Sequence, residues 1–184
     1  KPYKTFKKSG EALEERLKKD PNTAANIIVK EENGATIRGA DTLLISDNYK
    51  GKVKVIPYRD NGKVPSLITI PEGTSFTAEN VEFNGKKGDK YATTNIFTVN
   101  GGTLLLKRGT TTSNAYMGYL IKVTGGTCTA EEGTELYSIN WAVQLINGTV
   151  TLGGVVTSSG GAYGGVEMEG GQLILQKTAS ITNM

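Results

Sequence analysis

The sequence predicts an all-β fold: a single-stranded right-handed parallel β-helix, or solenoid, of about 22–24 residues per coil with a short N-terminal capping α-helix. Three observations predict it. The stretch FTVNGGTLLLKR at 97–108 returns three times at nearly constant spacing. Apolar and polar residues alternate on both sides of each Gly or Asn turn, as in half-buried strands. The 184 residues include 24 Gly and 5 Pro, which suits a turn-rich β protein.

A short amphipathic helix is predicted in the N-terminal segment, residues 1–24, over the stretch SGEALEERLKKD at 9–20. Ser9 is a suitable N-cap, because its hydroxyl can accept a hydrogen bond from a free amide of the first turn. Leu13 and Leu17 share one helical face and give it a narrow apolar stripe. We expect this helix to cover the end of the β-helix that follows.

The β-helix is expected to occupy residues 25–184 and to form one structural domain with the cap. Its first strands are short β-type runs separated by Gly, Asn, Asp and Pro. They read ANIIVK (25–30), DTLLIS (41–46), KVKVIP (52–57) and SLITIP (66–71).

The repeated turn fixes the period of the coils. Its marker glycines are Gly102, Gly126, Gly148 and Gly171, at spacings of 24, 22 and 23 residues. Such self-similarity indicates a solenoid or an array. Equivalent alternate positions are apolar in all four copies, and the pattern predicts two strands per repeat with their apolar side chains in ladders along a closed core. Those positions are Phe97/Val99/Leu104/Leu106, Ile121/Val123/Cys128/Ala130, Val143/Leu145/Val150/Leu152 and Val166/Met168/Leu173/Leu175.

An earlier coil at 66–85 has the same pattern with a third strand around Val81 and Phe83. Its marker, Gly73, precedes Gly102 by 29 residues, which predicts an insertion at KKGDKYATTN (86–95). The six or seven coils expected in all could instead be hairpins of an antiparallel sandwich. One turn chemistry recurring at one period favours the solenoid, because hairpin repeats would normally alternate their turns.

These turns (NGGTL, TGGTC, INGTV and EGGQL) and the coil PEGTSFTAENVEF resemble the right-handed parallel β-helix, or pectate-lyase-like, superfamily. In particular the chain looks like the adhesin-like β-helix segments of bacterial surface and secreted proteins. The resemblance covers roughly residues 25–184 and extends to the capping helix before them. It implies the fold and a secreted or cell-surface location, whereas activity differs between members that cut, bind or display.

In members that cleave polysaccharides, the resemblance implies acidic residues on the outer face of one strand ladder, often with Arg or Lys. The matching ladder here offers Glu167 and Glu169, about 7 Å apart along one strand, and Lys122. That spacing could suit the paired carboxylates of a glycoside hydrolase. A solvent-facing strand that happens to carry two Glu explains the same pattern, and the ladder contains no Asp.

Aromatic residues precede the first strand of successive coils by 2 to 6 positions, and in a stacked solenoid they would gather near one corner. They could either bind sugar rings or shield the core, because Tyr and Trp present an apolar face with a polar edge. The predicted ligand-binding residues are Tyr91, Tyr116, Tyr137, Trp141 and Tyr163.

Composition excludes several kinds of chemistry. The chain has no His and one Cys, so neither a His-dependent nucleophile system nor an internal disulfide can form. No cofactor or metal is expected, and the Gly pairs lack the strand-to-helix context of nucleotide-binding loops. The net charge of +3 is uneven, with +5 in residues 1–64, but the basic residues are not interleaved with aromatics as in nucleic-acid sites. No run of about 18 apolar residues could insert into a membrane.

The function expected from these observations is a non-catalytic extracellular or surface module for adhesion, display or glycan binding, with a polysaccharide or host cell-surface glycan as partner. The alternatives are a polysaccharide-degrading lyase or glycoside hydrolase, or a fragment of one, and a purely structural spacer. The sequence stops at SITNM, within a third strand of the last coil. We therefore expect either a fragment of a longer protein or end-to-end self-association through an open β-helix end.

Overall fold

Residues 4–58, 64–159 and 164–183 are described by a computed structural model, which shows a mostly β parallel solenoid of about six turns preceded by one helix. This confirms the predicted fold class. Every pairing between strands of successive coils in the described residues is parallel. The antiparallel sandwich is therefore excluded, while the right-handed sense stays a prediction from the general preference of parallel crossovers.

The elements follow one another in the order helix, strand, then coils of two or three strands. The helix is α1 (Phe6–Lys19), and a single 3-10 turn spans Asp47–Tyr49. The strands up to the insertion are β1 (Ala25–Val29), β2 (Ala35–Thr36), β3 (Ala40–Leu44), β4 (Val53–Pro57), β5 (Val64–Pro71), β6 (Ser75–Glu79), β7 (Glu82–Asn84), β8 (Lys86–Lys87) and β9 (Lys90–Tyr91). The later strands are β10 (Thr93–Leu106), β11 (Thr111–Ser113), β12 (Tyr119–Ala130), β13 (Glu135–Ser138), β14 (Trp141–Leu145), β15 (Thr149–Leu152), β16 (Val155–Ser158), β17 (Val166–Met168), β18 (Gln172–Leu175) and β19 (Ser180–Asn183).

Each coil has three faces, formed by strands stacked on their equivalents in neighbouring coils. The first face contains β2, β5, the start of β10 and β12, β14 and β17, and the second contains β3, β6, the ends of β10 and β12, β15 and β18. The third face is a seven-stranded sheet in the order β1-β4-β7-β11-β13-β16-β19.

The third face is where the prediction of two strands per repeat was incomplete. Its strands β11, β13 and β16 have three or four residues each, too few for alternation to stand out. The Gly turn also differs from the expected gap between strands, because β10 and β12 run through it as continuous strands. Register shifts mark the bend there between the first and second faces.

The predicted inward ladders form the core. Phe97 is in register with Ile121, Val143 and Val166, and Cys128 lies between Leu104 and Val150. Burial raises the pKa of the Cys128 thiol to about 12, so it behaves as a small apolar side chain. The last coil differs from the prediction, because no following coil covers it within the described residues. Met168, Leu175 and Ile181 are about half exposed there.

Helix α1 begins four residues before the predicted start, because its N-cap is Thr5 instead of Ser9. Tertiary contacts move the boundary. Asp41 of β3 accepts hydrogen bonds from the amides of Phe6 (2.8 Å) and Lys7 (3.0 Å), which joins the helix N-terminus to the first coil. The Phe6 ring packs edge-on against Phe76 with centroids 5.2 Å apart.

The helix therefore caps the solenoid as expected. Leu17 is fully buried and Leu13 packs against the same core, which the helix shares with the coils. The predicted insertion is also confirmed: β8 and β9 form an antiparallel hairpin, the one departure from parallel pairing in the described residues. It lies between the third face and the first face of the next coil.

Candidate functional site

The outer side of the first face carries the predicted polar ladder. Thr98, Lys122, Gln144 and Glu167 occupy equivalent positions on β10, β12, β14 and β17. They face outward because their neighbours along each strand, such as Phe97 and Ile121, fill the core. The sequence thus predicted this ladder correctly, although it did not predict that Gln144 would be buried.

Gln144 is the centre of a hydrogen-bonded cluster. Its Nε2 donates to Glu169 Oε1 at 2.9 Å and to Glu167 Oε2 at 3.2 Å. The Tyr119 hydroxyl also donates to Glu167 Oε2. Gln144 Oε1 is buried without a hydrogen-bond partner among the described residues. The two carboxylates are therefore held in place as acceptors, with one orphaned amide oxygen beside them.

Tyr119 was missed by the sequence analysis, and it is the residue that links the aromatics to the acids. Burial first, and then the hydrogen bond to Glu167, raise the pKa of Tyr119 to about 12. The hydroxyl therefore remains a donor at neutral pH. A signal was available, because Tyr119 precedes the inward Ile121 by two residues, as Trp141 precedes Val143.

Trp141 is the register neighbour of Tyr119 in the next coil. The equivalent position one coil further on is Gly164, and a Cβ placed there would come within 2.9 Å of the Trp141 ring. The missing side chain of Gly164 leaves room for the half-buried indole. Tyr119 and Trp141 are thus register neighbours on the first face, and Tyr119 contacts the Gln144 cluster through its hydrogen bond to Glu167.

The other predicted aromatic residues lie elsewhere. Tyr91 and Tyr116 pack on each other beside the hairpin, with ring centroids 5.5 Å apart and planes tilted by 32°. Tyr137 is on the third face, where its hydroxyl donates to Ser159 Oγ at 3.3 Å. Tyr163 lies outside the described residues. The structure therefore has separate aromatic positions around the coil, of which Tyr119 contacts the polar cluster and Trp141 is in register with Tyr119.

Lys122 is half-buried on the same ladder, between Thr98 and Gln144, and forms no ion pair with any described residue. It adds one ammonium group next to the cluster. The arrangement offers aromatic faces, carboxylate acceptors and an ammonium donor, which are the groups that bind hydroxyl-rich ligands.

The described part of the chain contains neither a cluster of metal-ligating side chains nor a membrane-spanning helix. His, Cys, Asp and Glu side chains do not assemble there in the threes that a metal site requires. The helix found there is too short and too polar to span a lipid bilayer.

Comparisons with protein-family models, with curated proteins and with solved structures found no match to this chain. The fold is therefore established as a parallel β-solenoid by its own geometry, and no family is assigned.

Proposed function

We propose that this chain is a non-catalytic β-solenoid module that binds glycans outside the cell, in adhesion or display. The observation that supports this is the hydrogen-bonded cluster of Gln144, Glu167 and Glu169 on the first face, which Tyr119 joins through Glu167. Tyr119 in turn has Trp141 as its register neighbour. Aromatic rings bury the apolar face of a sugar at small entropic cost, and fixed acceptors bind its hydroxyls. The face thus has both kinds of group that a sugar ring requires.

The finer assignment to the pectate-lyase-like superfamily, and to its adhesin-like members, is part of this proposal. It is supported by the recurrent Gly turn and by the capping helix at the first coil. A secreted or cell-surface location follows, because polysaccharides and host glycans are met there.

The test is retention on a panel of immobilised polysaccharides. Wild type is compared with Trp141→Ala, which removes a ring of the face, and with Tyr137→Ala, which removes an exposed ring of the third face. We expect selective retention that Trp141→Ala loses and Tyr137→Ala keeps. Glu169→Gln, which keeps the shape of the side chain, should also weaken retention if the acceptor pair binds hydroxyls. Circular dichroism checks that each variant is folded.

Equal retention of Trp141→Ala and wild type on every polymer would refute the proposed face. No retention on any polymer would favour the structural spacer.

The alternative is a polysaccharide-degrading enzyme that uses Glu167, Glu169 and Lys122. The cluster favours binding, because Gln144 donates to both carboxylates, whereas a hydrolase needs one of the pair to donate a proton. Release of shortened products by wild type, abolished in Glu167→Gln, would establish the enzyme instead.

We also propose that the exposed last coil self-associates. Met168, Leu175 and Ile181 are core-type side chains left about half exposed, beside strand edges that no described strand covers. Light scattering should show mass that rises with concentration in wild type and not in Leu175→Lys. The control is Ile28→Lys, which replaces an apolar side chain of similar exposure on β1, in the first coil. A strict monomer at high concentration would refute this part.

A further inference from the structure

A groove lies on the outer side of the third face, between the strands β1, β4 and β7 and the β8–β9 hairpin. Its volume is about 400 Å³, within the usual range for small-ligand sites. It is lined by Asn26 of β1, Lys52 and Lys54 at β4, Glu82 and Asn84 of β7, and Lys86 of β8. It is separate from the first face that carries Tyr119 and Trp141.

The groove is positively charged. Three lysines and one carboxylate line it, for a formal charge of +2. Lys54 Nζ lies 3.0 Å from Glu82 Oε1, so these two charges offset each other. Lys52 and Lys86 form no ion pair with any residue that the structure describes. Two ammonium groups are therefore available to an anion.

The groove lysine Lys86 and two lysines that are not part of the lining lie over tyrosine rings. Lys87 of the hairpin places its Nζ 4.6 Å from the centre of the Tyr58 ring, and Lys30 lies 5.9 Å from the same ring. Lys86 Nζ lies 4.3 Å from the centre of the Tyr91 ring. These contacts hold flexible lysines close to the groove, and they extend its positive field beyond the residues that line it.

The floor of the groove is fixed by hydrogen bonds. Asn84 Nδ2 donates to Glu82 Oε1 at 2.8 Å, and Asn84 Oδ1 accepts from the Lys86 amide at 2.9 Å. The side-chain Nδ2 of Asn114, one coil further on, donates to the same Asn84 Oδ1 at 3.1 Å. The base of the hairpin is thus tied to the solenoid, and a ligand would meet a groove that is already formed.

From this geometry we infer a second binding site, for an acidic polysaccharide whose carboxylate or sulfate groups are bound by Lys52 and Lys86. The hydroxyls of the same sugar are bound by the neutral side-chain amide of Asn26 and by the carboxylate of Glu82, which accepts hydrogen bonds. The site does not depend on the first-face function proposed above, because it shares none of the residues of that cluster. It gives the chain a role in retaining anionic glycans.

A nucleic acid is the other polyanion to consider, and the groove fits it less well. Single strands bind through aromatic faces on which bases stack. Here lysine ammonium groups lie over the rings of Tyr58 and Tyr91, and Tyr116 also packs on Tyr91. No Arg lines the groove to grip phosphates with a two-pronged contact. Glu82 in the floor suits hydroxyl donors better than a continuous row of phosphates.

The test is titration calorimetry at low salt with four probes of similar length: a hyaluronate oligosaccharide, a heparin oligosaccharide, neutral dextran and a thymidine oligonucleotide. The groove variant is Lys52→Gln with Lys86→Gln. Its matched control is Lys7→Gln with Lys8→Gln, which removes the same charge from exposed positions of α1. We expect at least one acidic glycan to bind about tenfold more weakly to the groove variant, as the loss of two partly exposed ion pairs would give, and about equally to the control.

Glu82→Gln should act in the opposite direction and tighten binding, because it raises the formal charge of the groove to +3. Trp141→Ala should leave acidic-glycan binding unchanged, which separates this site from the first face. The tighter of hyaluronate and heparin identifies carboxylate or sulfate as the ligand group.

Three results would overturn the inference: no binding of either acidic glycan, an equal loss in groove variant and control, or tighter binding of the oligonucleotide than of both glycans.

Discussion

Replacing a glycine of the repeated turn by alanine should separate two reasons for glycine there: its left-handed backbone and the close approach of the preceding coil. Gly126 has φ +80°, and a Cβ on it would lie closest to the Gly102 carbonyl oxygen of the preceding coil, then 2.6 Å from the Gly101 carbonyl carbon and 2.8 Å from the Gly102 nitrogen. Gly73 has φ +72°, but a Cβ on it meets nothing within 4 Å. Both glycines have a left-handed backbone, but a neighbouring coil approaches closely only at Gly126 and not at Gly73.

The magnitudes follow from this difference. Gly73→Ala should cost about 1–2 kcal/mol, the strain of an L-residue in the left-handed region. Gly126→Ala carries the same strain and must also move the backbone of the preceding coil to reach an ordinary 3.4 Å contact, by about 0.8 Å at the Gly101 carbonyl carbon and by more at the Gly102 carbonyl oxygen. Overpacking of that kind costs about 1–3 kcal/mol more. The gain from a stiffer unfolded chain is the same in both variants and cancels.

The assay is equilibrium unfolding in urea, followed by the fluorescence of Trp141, the single tryptophan of the chain. Thermal unfolding should show the same order, at about 2–4 °C per kcal/mol for a chain of this size. A Gly126→Ala protein that fails to fold while Gly73→Ala folds agrees with the prediction. Equal stability of the two variants, within about 0.5 kcal/mol, the usual scatter of surface substitutions, would refute the argument from coil packing.

Three further predictions concern single side chains. Asp41→Asn should lower the free energy of unfolding by about 1 kcal/mol, because a charged acceptor at the helix N-terminus becomes neutral; unchanged urea unfolding would contradict this. The hydrogen bond from Lys107 lowers the pKa of Glu79 in the folded protein. The stability that this ion pair contributes is therefore present above the unfolded-state pKa of Glu79, about 4.5, and is lost as the pH falls below it toward the folded-state pKa. Wild type should therefore approach Glu79→Gln in stability on acidification, and a constant difference between them would count against the ion pair. Spectrophotometric titration should find a tyrosine with a pKa of about 12 that disappears in Tyr119→Phe and titrates closer to pH 10 in Glu167→Gln; identical curves for all three proteins would exclude the hydrogen bond.

In the candidate site, the sequence pattern predicted which residues share a face but not which of them form hydrogen bonds. Alternation placed Lys122, Gln144 and Glu167 on one outer ladder, because a strand has a period of two and the coils repeat at a near-constant spacing. The same pattern did not predict that Gln144 would donate hydrogen bonds to Glu167 and Glu169, or that Lys122 would form no ion pair with a described residue. Tyr119 reaches Glu167 two coils away, a separation of 48 residues along the chain. Contacts of that kind depend on side-chain direction across coils, which periodicity does not contain.

The boundaries of elements show the same division. The sequence by itself determined the solenoid, its period, its inward ladders, the capping helix and the insertion, since all of these follow from local alternation and a repeated turn. Tertiary structure alone decided that α1 starts at Phe6, because Asp41 lies 34 or more residues from the amides it binds. It also decided that the hairpin closes a basic groove with Lys52. These features join residues that are distant in the chain, and their energies come from packing and hydrogen bonds that form only when the coils stack.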